Sequence, residues 1–366
     1  MSDSDRDALA RAAATHRGRG ALTNADGRFE PYSHEAVDDG WGSADEPLPT
    51  RKTTVQTDHA RSVIVHQKSP DIPFEQSINP YRGCEHGCVY CFARPSHAYL
   101  GLSPGLDFET KLFAKPDAAE RLREELSARG YRPSPIAFGT NTDPYQPVER
   151  RMRIMRSLLE VLAAYDHPLT IVTKSALVER DLDLLAPMAR KNLVRVYVSV
   201  TTLDRQLART LEPRAAAPQR RIETLRTLAQ AGVPVGVMAA PMIPALTDHE
   251  LDAILESSAA AGAQSAGYVL LRLPHEVKDL FKEWLRAHRP DRAEHVMSLI
   301  RASRGGKEYD STWGVRARGT GEYAELLRKR FQLACKRLGL NRGADDLDVS
   351  RFRPPHADGS EQLSLL

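Results

Sequence analysis

Three cysteines within eight residues constrain this chain more than any other feature of its sequence. Cys84, Cys88 and Cys91 lie in the segment CEHGCVYC, and the chain of 366 residues has only four cysteines in total. Thiolates at this CxxxCxxC spacing can converge on one small inorganic group, and three of them are one fewer than a closed four-ligand site needs. A [4Fe-4S] cluster held by three thiolates would therefore have one iron free to bind a further ligand.

An open iron of this kind offers a place for S-adenosylmethionine (SAM), whose amino and carboxylate groups can chelate it. An electron from the reduced cluster then breaks a C–S bond of the sulfonium, and a 5′-deoxyadenosyl radical forms. The spacing therefore predicts radical chemistry, with the cluster and SAM as cofactors and with Cys84, Cys88 and Cys91 as the metal ligands.

Other readings of the three cysteines are open at this point. They could hold a structural zinc ion together with His86 or a more distant histidine, although zinc sites usually combine two CxxC-type pairs. An unliganded cluster of reduced thiols is a second alternative. A disulfide framework is disfavoured, because four cysteines in 366 residues do not resemble a small secreted scaffold.

The bulk composition sets limits on the class of protein. With 41% hydrophobic residues the chain can bury a sizeable core, and the longest apolar run, at 233–246, is interrupted by three prolines, so no membrane span is expected. The first twenty residues have no hydrophobic region of the secretory type, which together with an oxygen-sensitive cluster predicts a cytoplasmic protein. The net charge of +3 permits contact with nucleic acid without demanding it.

Strand and helix patterns alternate along the middle of the chain. A strand at 75–82 leads to the cysteines, and further apolar or β-branched runs lie at 135–141, 169–175, 194–202, 233–240 and 265–273, with helical patterns between them at 116–129, 148–165, 178–190, 218–231 and 247–262. Six βα units predict a parallel sheet covered by helices, either curled or doubly wound. Functional residues would gather at the carboxyl ends of its strands.

The flanking regions differ from this core. Residues 1–50 are polar and predict a disordered arm, 51–290 form the predicted core, 291–340 a helical extension, and 341–366 a flexible tail.

Four segments resemble a known family. They are Asn79–Pro95 around the cysteines, Gly139–Arg150 (GTNTDPYQPVER), Val198–Arg205 and Leu211–Arg226. Over roughly residues 60–290 the chain is similar to radical SAM proteins, and within them to the group related to spore photoproduct lyase, often described as DNA repair photolyase-like. The resemblance implies a partial (β/α)6 TIM-like barrel with a helical C-terminal extension, a [4Fe-4S] cluster, SAM, and a reductant such as flavodoxin or ferredoxin.

The resemblance also assigns residues. Cys84, Cys88 and Cys91 match the cluster ligands. Four residues match positions near the methionyl group of SAM: Thr142 and Asp143 after the second barrel strand, Lys174 as a partner for the SAM carboxylate, and Ser199 as a small hydroxyl contact. Lys174 could instead be a surface charge at a strand end, and Ser199 could simply suit a β-strand. No catalytic residue is assigned.

One departure from the family pattern concerns the hydrogen donor. The lyase supplies a cysteine just before its Ser/Thr-Asp pair, whereas this chain has Thr140 and Asn141 there. The remaining thiol, Cys335, lies in an amphipathic helical run and suits a buried core position. Lyase activity on a thymine photoproduct therefore does not transfer with the resemblance, and the radical initiation step alone does.

The last residues, Gln362–Leu366 (QLSLL), resemble the short peptide by which bacterial repair and replication proteins dock on the sliding DNA clamp. A free tail with apolar anchors after a glutamine suits insertion into a hydrophobic groove. An ordinary flexible end is the alternative.

Three hypotheses for function follow. The first is a radical SAM enzyme that cleaves SAM reductively and abstracts a hydrogen from a macromolecular substrate, with damaged or modified DNA as the leading candidate. The second keeps this chemistry but acts on RNA, a peptide or a small metabolite. The third is a non-catalytic, metal-stabilised binding module. Arginine-rich segments such as 150–156 could hold phosphates or be solvated helix surface.

Overall fold

The structure of the chain is a computed structural model, and it describes residues 18–30, 52–343 and 346–354. Its centre is a seven-stranded sheet with the strand order β10-β9-β8-β7-β6-β3-β2. All neighbouring strands in it are parallel except β2, which pairs antiparallel with β3 at one edge. The strands of this sheet are β2 (Val65–His66), β3 (Gln76–Ile78), β6 (Ile136–Phe138), β7 (Leu169–Thr173), β8 (Val194–Ser199), β9 (Val235–Met242) and β10 (Ser265–Leu270).

A second, smaller sheet lies beside the start of the barrel. It has the order β1-β5-β4, in which β5 pairs parallel with β1 and antiparallel with β4. Its strands are β1 (Thr54–Thr57), β4 (Tyr81–Arg82) and β5 (Lys111–Ala114). The sequence patterns did not predict this sheet, because its strands are short and β1 is mostly exposed.

Eleven α-helices lie in the described residues, and those between consecutive strands of the large sheet cover it. The eleven are α1 (Leu106–Thr110), α2 (Ala118–Ser127), α3 (Glu149–Met152), α4 (Ile154–Ala164), α5 (Leu182–Arg190), α6 (Arg205–Leu211), α7 (Pro218–Gln230), α8 (Leu251–Ala260), α9 (Val277–His288), α10 (Ala293–Ala302) and α11 (Gly321–Leu338). The predicted helix at 148–165 is divided into α3 and α4, because Arg153 has a φ of 54° and interrupts the helical backbone. The short helix α6 was not predicted.

The core forms where the helices pack on the central strands. In β8 the side chains of Val194, Val196 and Val198 are fully buried, and β-branched residues suit this pleated surface. Burying each such side chain contributes roughly 1.5–3 kcal/mol. Helix α7 packs against β8 and β9, and α2 packs against α4.

The sheet curls but does not close, since β2 and β10 are its two edges. The prediction of a partial (β/α)6 barrel is confirmed: six parallel strands, β3 and β6 to β10, alternate with helices as the repeated βα pattern requires. Helices α9, α10 and α11 complete the helical C-terminal part, where α11 packs against α8 and β10.

Part of the predicted disordered arm has a defined place. Of residues 1–50, only 18–30 are described, and Gly20, Ala21 and Leu22 within them are buried. The backbone amides of Gly20 and Ala21 donate to the buried carboxylate of Glu109, at 3.0 Å and 2.9 Å. The sequence analysis predicted disorder from the polar composition of this segment. It missed the ordered part because the carboxylate that binds it lies about ninety residues further along the chain.

Among the described residues, no helix combines the length and apolarity that crossing a membrane requires.

Truncation of one core side chain tests this packing. Leu158 on α4 is fully buried in the main core, and we expect Leu158→Ala to lower the free energy of unfolding by about 2–5 kcal/mol through lost burial and the cavity left behind. Leu333→Ala on α11 is the matched control, because that side chain is 68% exposed and its loss should change stability by less than about 0.5 kcal/mol. Denaturant titration measures both, and equal midpoints for the two variants would contradict the assigned core.

Candidate functional site

The cysteines lie in a loop that follows β4 and has no regular secondary structure of its own. Backbone hydrogen bonds fix it from outside: Cys84 N donates to Phe108 O at 2.9 Å, and Val89 N donates to Leu211 O at 3.1 Å. Gly87 has a φ of +67°, and a Cβ there would come within 2.7 Å of Glu109 Oε2. Glycine between the first two cysteines is therefore required by both backbone conformation and space.

A buried arginine ties this loop to its surroundings. Arg94 donates through Nε to Cys88 O at 2.9 Å, and through Nη1 to Pro104 O and Gly105 O at 3.0 Å and 2.9 Å. Its fourth contact is an ion pair with Glu109, and both side chains are fully buried. A planar guanidinium that satisfies three carbonyls and a carboxylate holds Cys88 in a fixed position.

The three cysteines face one cavity at the carboxyl edge of the sheet. It has a volume of about 320 Å³ and is lined by all three, together with residues that follow β6 and residues in or directly after β7, β8, β9 and β10. In a parallel βα sheet the strand ends at this edge are where ligands bind. The cluster loop and the strand ends thus enclose the same space.

Burial sets the protonation of the thiols. It raises the pKa of Cys88 to about 12, and it raises the pKa of Cys84 and of Cys91 above the ordinary value. Each thiol is unpaired with any other cysteine in the described chain. A metal group would displace the protons of these neutral thiols and gain three thiolate ligands.

Within the described residues, no three His, Cys, Asp or Glu side chains are arranged around a single metal ion. A [4Fe-4S] cluster does not need that arrangement, because each of its thiolates binds a different iron. Cys84, Cys88 and Cys91 meet its requirement, which is three sulfur donors around one roomy cavity.

His86, the residue considered as an additional zinc ligand, has another contact. Its Nδ1 lies 3.3 Å from Asp143 Oδ2, and its side chain is buried. The histidine thereby joins the cysteine loop to the loop that follows β6.

Asp143 is the residue on which these strand ends converge. Its carboxylate accepts Thr173 Oγ1 at 2.7 Å, Lys174 N at 2.7 Å and Tyr145 N at 2.9 Å, in addition to the His86 contact. Burial alone would raise the pKa of Asp143, but His86 and these donors outweigh burial and lower it. Asp143 therefore remains an anion that links the ends of β6 and β7.

Thr142 lies behind the cavity rather than in its wall. Its side chain is buried, and Oγ1 donates to Tyr81 O at 2.9 Å. Of the four residues predicted to contact SAM, the structure brings Asp143, Lys174 and Ser199 together at the cavity, and Thr142 supports the turn from outside it.

Lys174 and Ser199 have free polar groups at the cavity. The ammonium of Lys174 lies 5.8 Å from the centroid of the Tyr90 ring and makes no ion pair or hydrogen bond with any described residue. Ser199 is only 4% exposed and lines the same space. A cation and a hydroxyl at neighbouring strand ends can together bind a carboxylate.

A buried polar network behind the second and third cysteines was missed by the sequence analysis. Glu212 accepts hydrogen bonds from Tyr90 and from Thr201, the latter at 2.5 Å, and forms an ion pair with the fully buried Arg221. Burial would raise the pKa of Glu212, but Arg221 and Lys174 lower it to about 2. Tyr90 lies between two cysteines in the chain, so this network is a second anchor of the cluster loop in addition to Arg94.

A second missed element forms the wall where the sheet is open. Asp71, which follows β2, pairs with Arg316 and accepts Gly314 N at 2.6 Å, and Leu270 N of β10 donates to Ala317 O at 2.9 Å. Segments next to the two edges of the open sheet are thereby joined across the gap. Residues 303–320, the connector between α10 and α11, make these contacts, and the sequence analysis did not predict them.

The family model for the radical SAM superfamily matches residues 78–257. An uncharacterized protein of Mycobacterium tuberculosis is 40% identical over 232 residues, which are 63% of this chain and 68% of the relative. An uncharacterized protein of Methanocaldococcus jannaschii is 27% identical over 173 residues, covering 47% and 62%. Spore photoproduct lyase in complex with dinucleoside spore photoproduct has a similar fold, with a TM-score of 0.57, 16% identity, and coverage of 78% and 80%.

The Glu212–Arg221 pair gives a test of how the cluster loop is held. We expect Glu212→Gln to lower the free energy of unfolding, because the buried Arg221 guanidinium loses the charge that neutralises it. Removal of one partner of a buried ion pair costs about 3–5 kcal/mol. The amide oxygen of glutamine can still accept a hydrogen bond, so we expect a loss at the lower end of this range.

The pH dependence of the same variant has a defined sign. The pKa of Glu212 is lower in the folded protein, at about 2, than its ordinary value of 4.5, so its stabilising contribution is present above pH 4.5 and is lost as the pH falls towards 2. Denaturant titrations should therefore show the difference between wild type and Glu212→Gln shrinking in this window. A difference independent of pH would contradict the assigned ion pair.

Proposed function

This chain belongs to the radical SAM superfamily of enzymes, and on that premise we propose that Cys84, Cys88 and Cys91 hold a [4Fe-4S] cluster with which SAM is cleaved reductively. The observation that carries the proposal is the arrangement of three unpaired thiols around one cavity at the carboxyl edge of the sheet. When bound, the cluster and SAM would supply a 5′-deoxyadenosyl radical that abstracts a hydrogen from a substrate. An external reductant such as flavodoxin or ferredoxin would deliver the electron.

The residues of this chain would bind and orient the cofactors. Lys174 would pair with the SAM carboxylate, since its ammonium forms no ion pair with a carboxylate among the described residues, and Ser199 would add a hydroxyl contact. Asp143 would act mainly by holding the turn, because its oxygens already accept hydrogen bonds from three donors. Thr142 would support that turn from behind.

We propose a macromolecular substrate, with nucleic acid as the leading candidate. Arg150, Arg151 and Arg153 are exposed, and none of them forms an ion pair with a described residue, so they are available to bind phosphates. The fold is also that of a protein whose solved complex contains a dinucleoside photoproduct. A base in duplex DNA would have to leave the stack to reach a radical inside this cavity.

The photoproduct lyase reaction itself is not part of the proposal. The cavity wall has Thr140 and Asn141 where the family member supplies a cysteine, and hydroxyl and amide groups are poor hydrogen-atom donors. Cys335 cannot replace it, because its side chain is buried in the main core beneath α11 and is not part of the cavity lining. DNA repair by this chain would require a different way to quench the product radical.

RNA, a peptide or a small metabolite remains the alternative substrate class, and a non-catalytic metal-stabilised module the alternative to an enzyme of this mechanism. The proposed clamp-docking peptide, Gln362–Leu366, lies outside the described residues and stays a prediction.

The cluster assignment is tested by anaerobic reconstitution with iron and sulfide, reduction, addition of SAM, and quantification of 5′-deoxyadenosine by mass spectrometry. We expect Cys88→Ala to lose the cluster absorbance and to form at least about 100-fold less 5′-deoxyadenosine, since one of the three ligands is missing. Cys335→Ala is the matched control, a buried cysteine outside the cavity, and should retain both. Equal cleavage by the two variants would contradict the ligand set.

Lys174 is tested by SAM binding to the reconstituted protein, measured by equilibrium dialysis. We expect Lys174→Gln to bind SAM about 10- to 100-fold more weakly, the effect of losing one charge-assisted hydrogen bond of about 1.5–3 kcal/mol. Lys191→Gln is the control, because Lys191 pairs with Asp166 beyond the carboxyl end of α5. Unchanged SAM affinity in Lys174→Gln would show that Lys174 does not bind the SAM carboxylate and is a surface charge at a strand end.

A further inference from the structure

The charges that line the cavity do not balance within the described residues. Of its carboxylates, Asp71 pairs with Arg316, and Asp143 is occupied by His86 and three hydrogen-bond donors. Lys174 and Arg272 are left as cations that form no ion pair or hydrogen bond with a described residue. The cavity therefore favours anionic groups.

The two cations mark two separate positions. Lys174 directly follows β7, whereas Arg272 follows β10, which is three strands away in the sheet order. Neighbouring strands are about 4.8 Å apart, so three steps amount to about 14 Å along the sheet, shortened by its curl. The proposed role of Lys174 with the SAM carboxylate accordingly leaves Arg272 for a different anion.

Arg272 is held as a ligand-binding group would be. Its Nε is buried and has no hydrogen-bond partner among the described residues, and its guanidinium lies 4.8 Å from the centroid of the Phe92 ring. A desolvated donor without a partner is costly, and an entering anion would satisfy it. The nearby guanidinium groups of Arg304 and Arg316 add to the positive potential.

The wall around Arg272 is already fixed. The buried Arg304 donates to Leu271 O at 2.9 Å and to Val315 O at 2.6 Å, which ties the residue before Arg272 to the segment that closes the open side of the sheet. Arg316 donates to Ser69 Oγ at 2.6 Å as well as pairing with Asp71. Little ordering is therefore needed when a ligand binds.

Aromatic surface accompanies the cation. Phe92 is 43% exposed although it directly follows the third cysteine, and Phe74 lines the same cavity. An exposed ring beside a guanidinium suits an unstacked base attached to a phosphate, whereas an acidic peptide would use the cation without needing the ring. The combination favours a nucleotide over a carboxylate.

We propose that Arg272 and Phe92 form the subsite that binds one unstacked nucleotide of a single-stranded or locally opened nucleic acid, with Arg272 on a phosphodiester oxygen and Phe92 against the base. This inference rests on the proposed function and names the substrate contact within the same cavity.

The test measures binding of a fluorescein-labelled oligothymidylate of eight nucleotides to the reconstituted protein with SAM, by anaerobic fluorescence anisotropy. We expect Arg272→Gln to weaken binding about 10- to 100-fold and to reduce the slope of log affinity against log salt by about 0.7, the value for one phosphate of a single strand. Arg272→Lys should recover part of the affinity. Arg129→Gln is the control, since Arg129 is exposed in the loop between α2 and β6. This loop leads into the amino end of β6, whereas the cavity lies at the carboxyl ends of the strands.

A second probe separates phosphate from base. The same oligonucleotide with neutral methylphosphonate linkages should bind wild type and Arg272→Gln alike, while Phe92→Leu should weaken both probes about fivefold or more. Cluster absorbance and melting temperature are compared for every variant, so that a lost fold is not read as a lost contact.

Several results would overturn the inference. Wild-type affinity in Arg272→Gln, with an unchanged salt slope, would remove Arg272 from the phosphate while leaving radical SAM chemistry intact. No binding of the oligonucleotide by a wild-type protein that still produces 5′-deoxyadenosine would reject the nucleotide subsite and nucleic acid together. Tighter binding of a glutamate-rich peptide than of the oligonucleotide would assign Arg272 to a carboxylate instead. Loss of SAM cleavage in wild type would be a failure of the proposed function, visible independently of any binding result.

Discussion

Two buried arginine–glutamate pairs hold the cysteine loop, and the rest of the site depends on them. The Arg94–Glu109 pair fixes Cys88, and the Arg221–Glu212 pair fixes Tyr90. The loop has no helix or strand of its own, so its conformation must be imposed by neighbours. Buried ion pairs are weak sources of net stability, but breaking one is costly, which makes them suitable for enforcing one geometry.

Two segments that are far apart in the sequence, the N-terminal residues 18–30 and the C-terminal connector, both contact the surroundings of the cysteine cavity. Residues 20 and 21 complete the hydrogen bonding of Glu109 on the outer side of the cysteine loop. On the opposite side, Arg304 and Arg316 position the connector across the open edge of the sheet. The barrel supplies the strand ends, the connector adds Arg316 and Ala317 to the cavity lining, and the N-terminal segment supports the cysteine loop through Glu109.

Local patterns were sufficient for the barrel and its central motif. Helices and strands of the six βα units follow from apolar periodicity, since a buried β8 or an amphipathic α7 repeats its pattern within a few residues. The sequence analysis did not predict short elements such as β1, β5 and α6, because they contain too few residues for a hydrophobic period to be detected. Lys174 and Ser199 line the cavity, as their positions at strand ends predict, and their contact with SAM stays a prediction, whereas the Thr142 hydroxyl donates to Tyr81 O behind the cavity.

The sequence by itself determined where the candidate cluster site lies: three cysteines at fixed spacing, in a chain with one other thiol, predict a ligand set that leaves one position open. Only the tertiary structure decided what surrounds that site. The partners of Glu109, Glu212, Asp71 and Arg272 are set by contacts between residues far apart in the chain, and no local pattern encodes them. A ligand motif can be recognised in the sequence because the spacing of its residues is fixed along the chain. Which charged side chains in a cavity form no ion pair depends on the tertiary contacts of all the charged side chains around it.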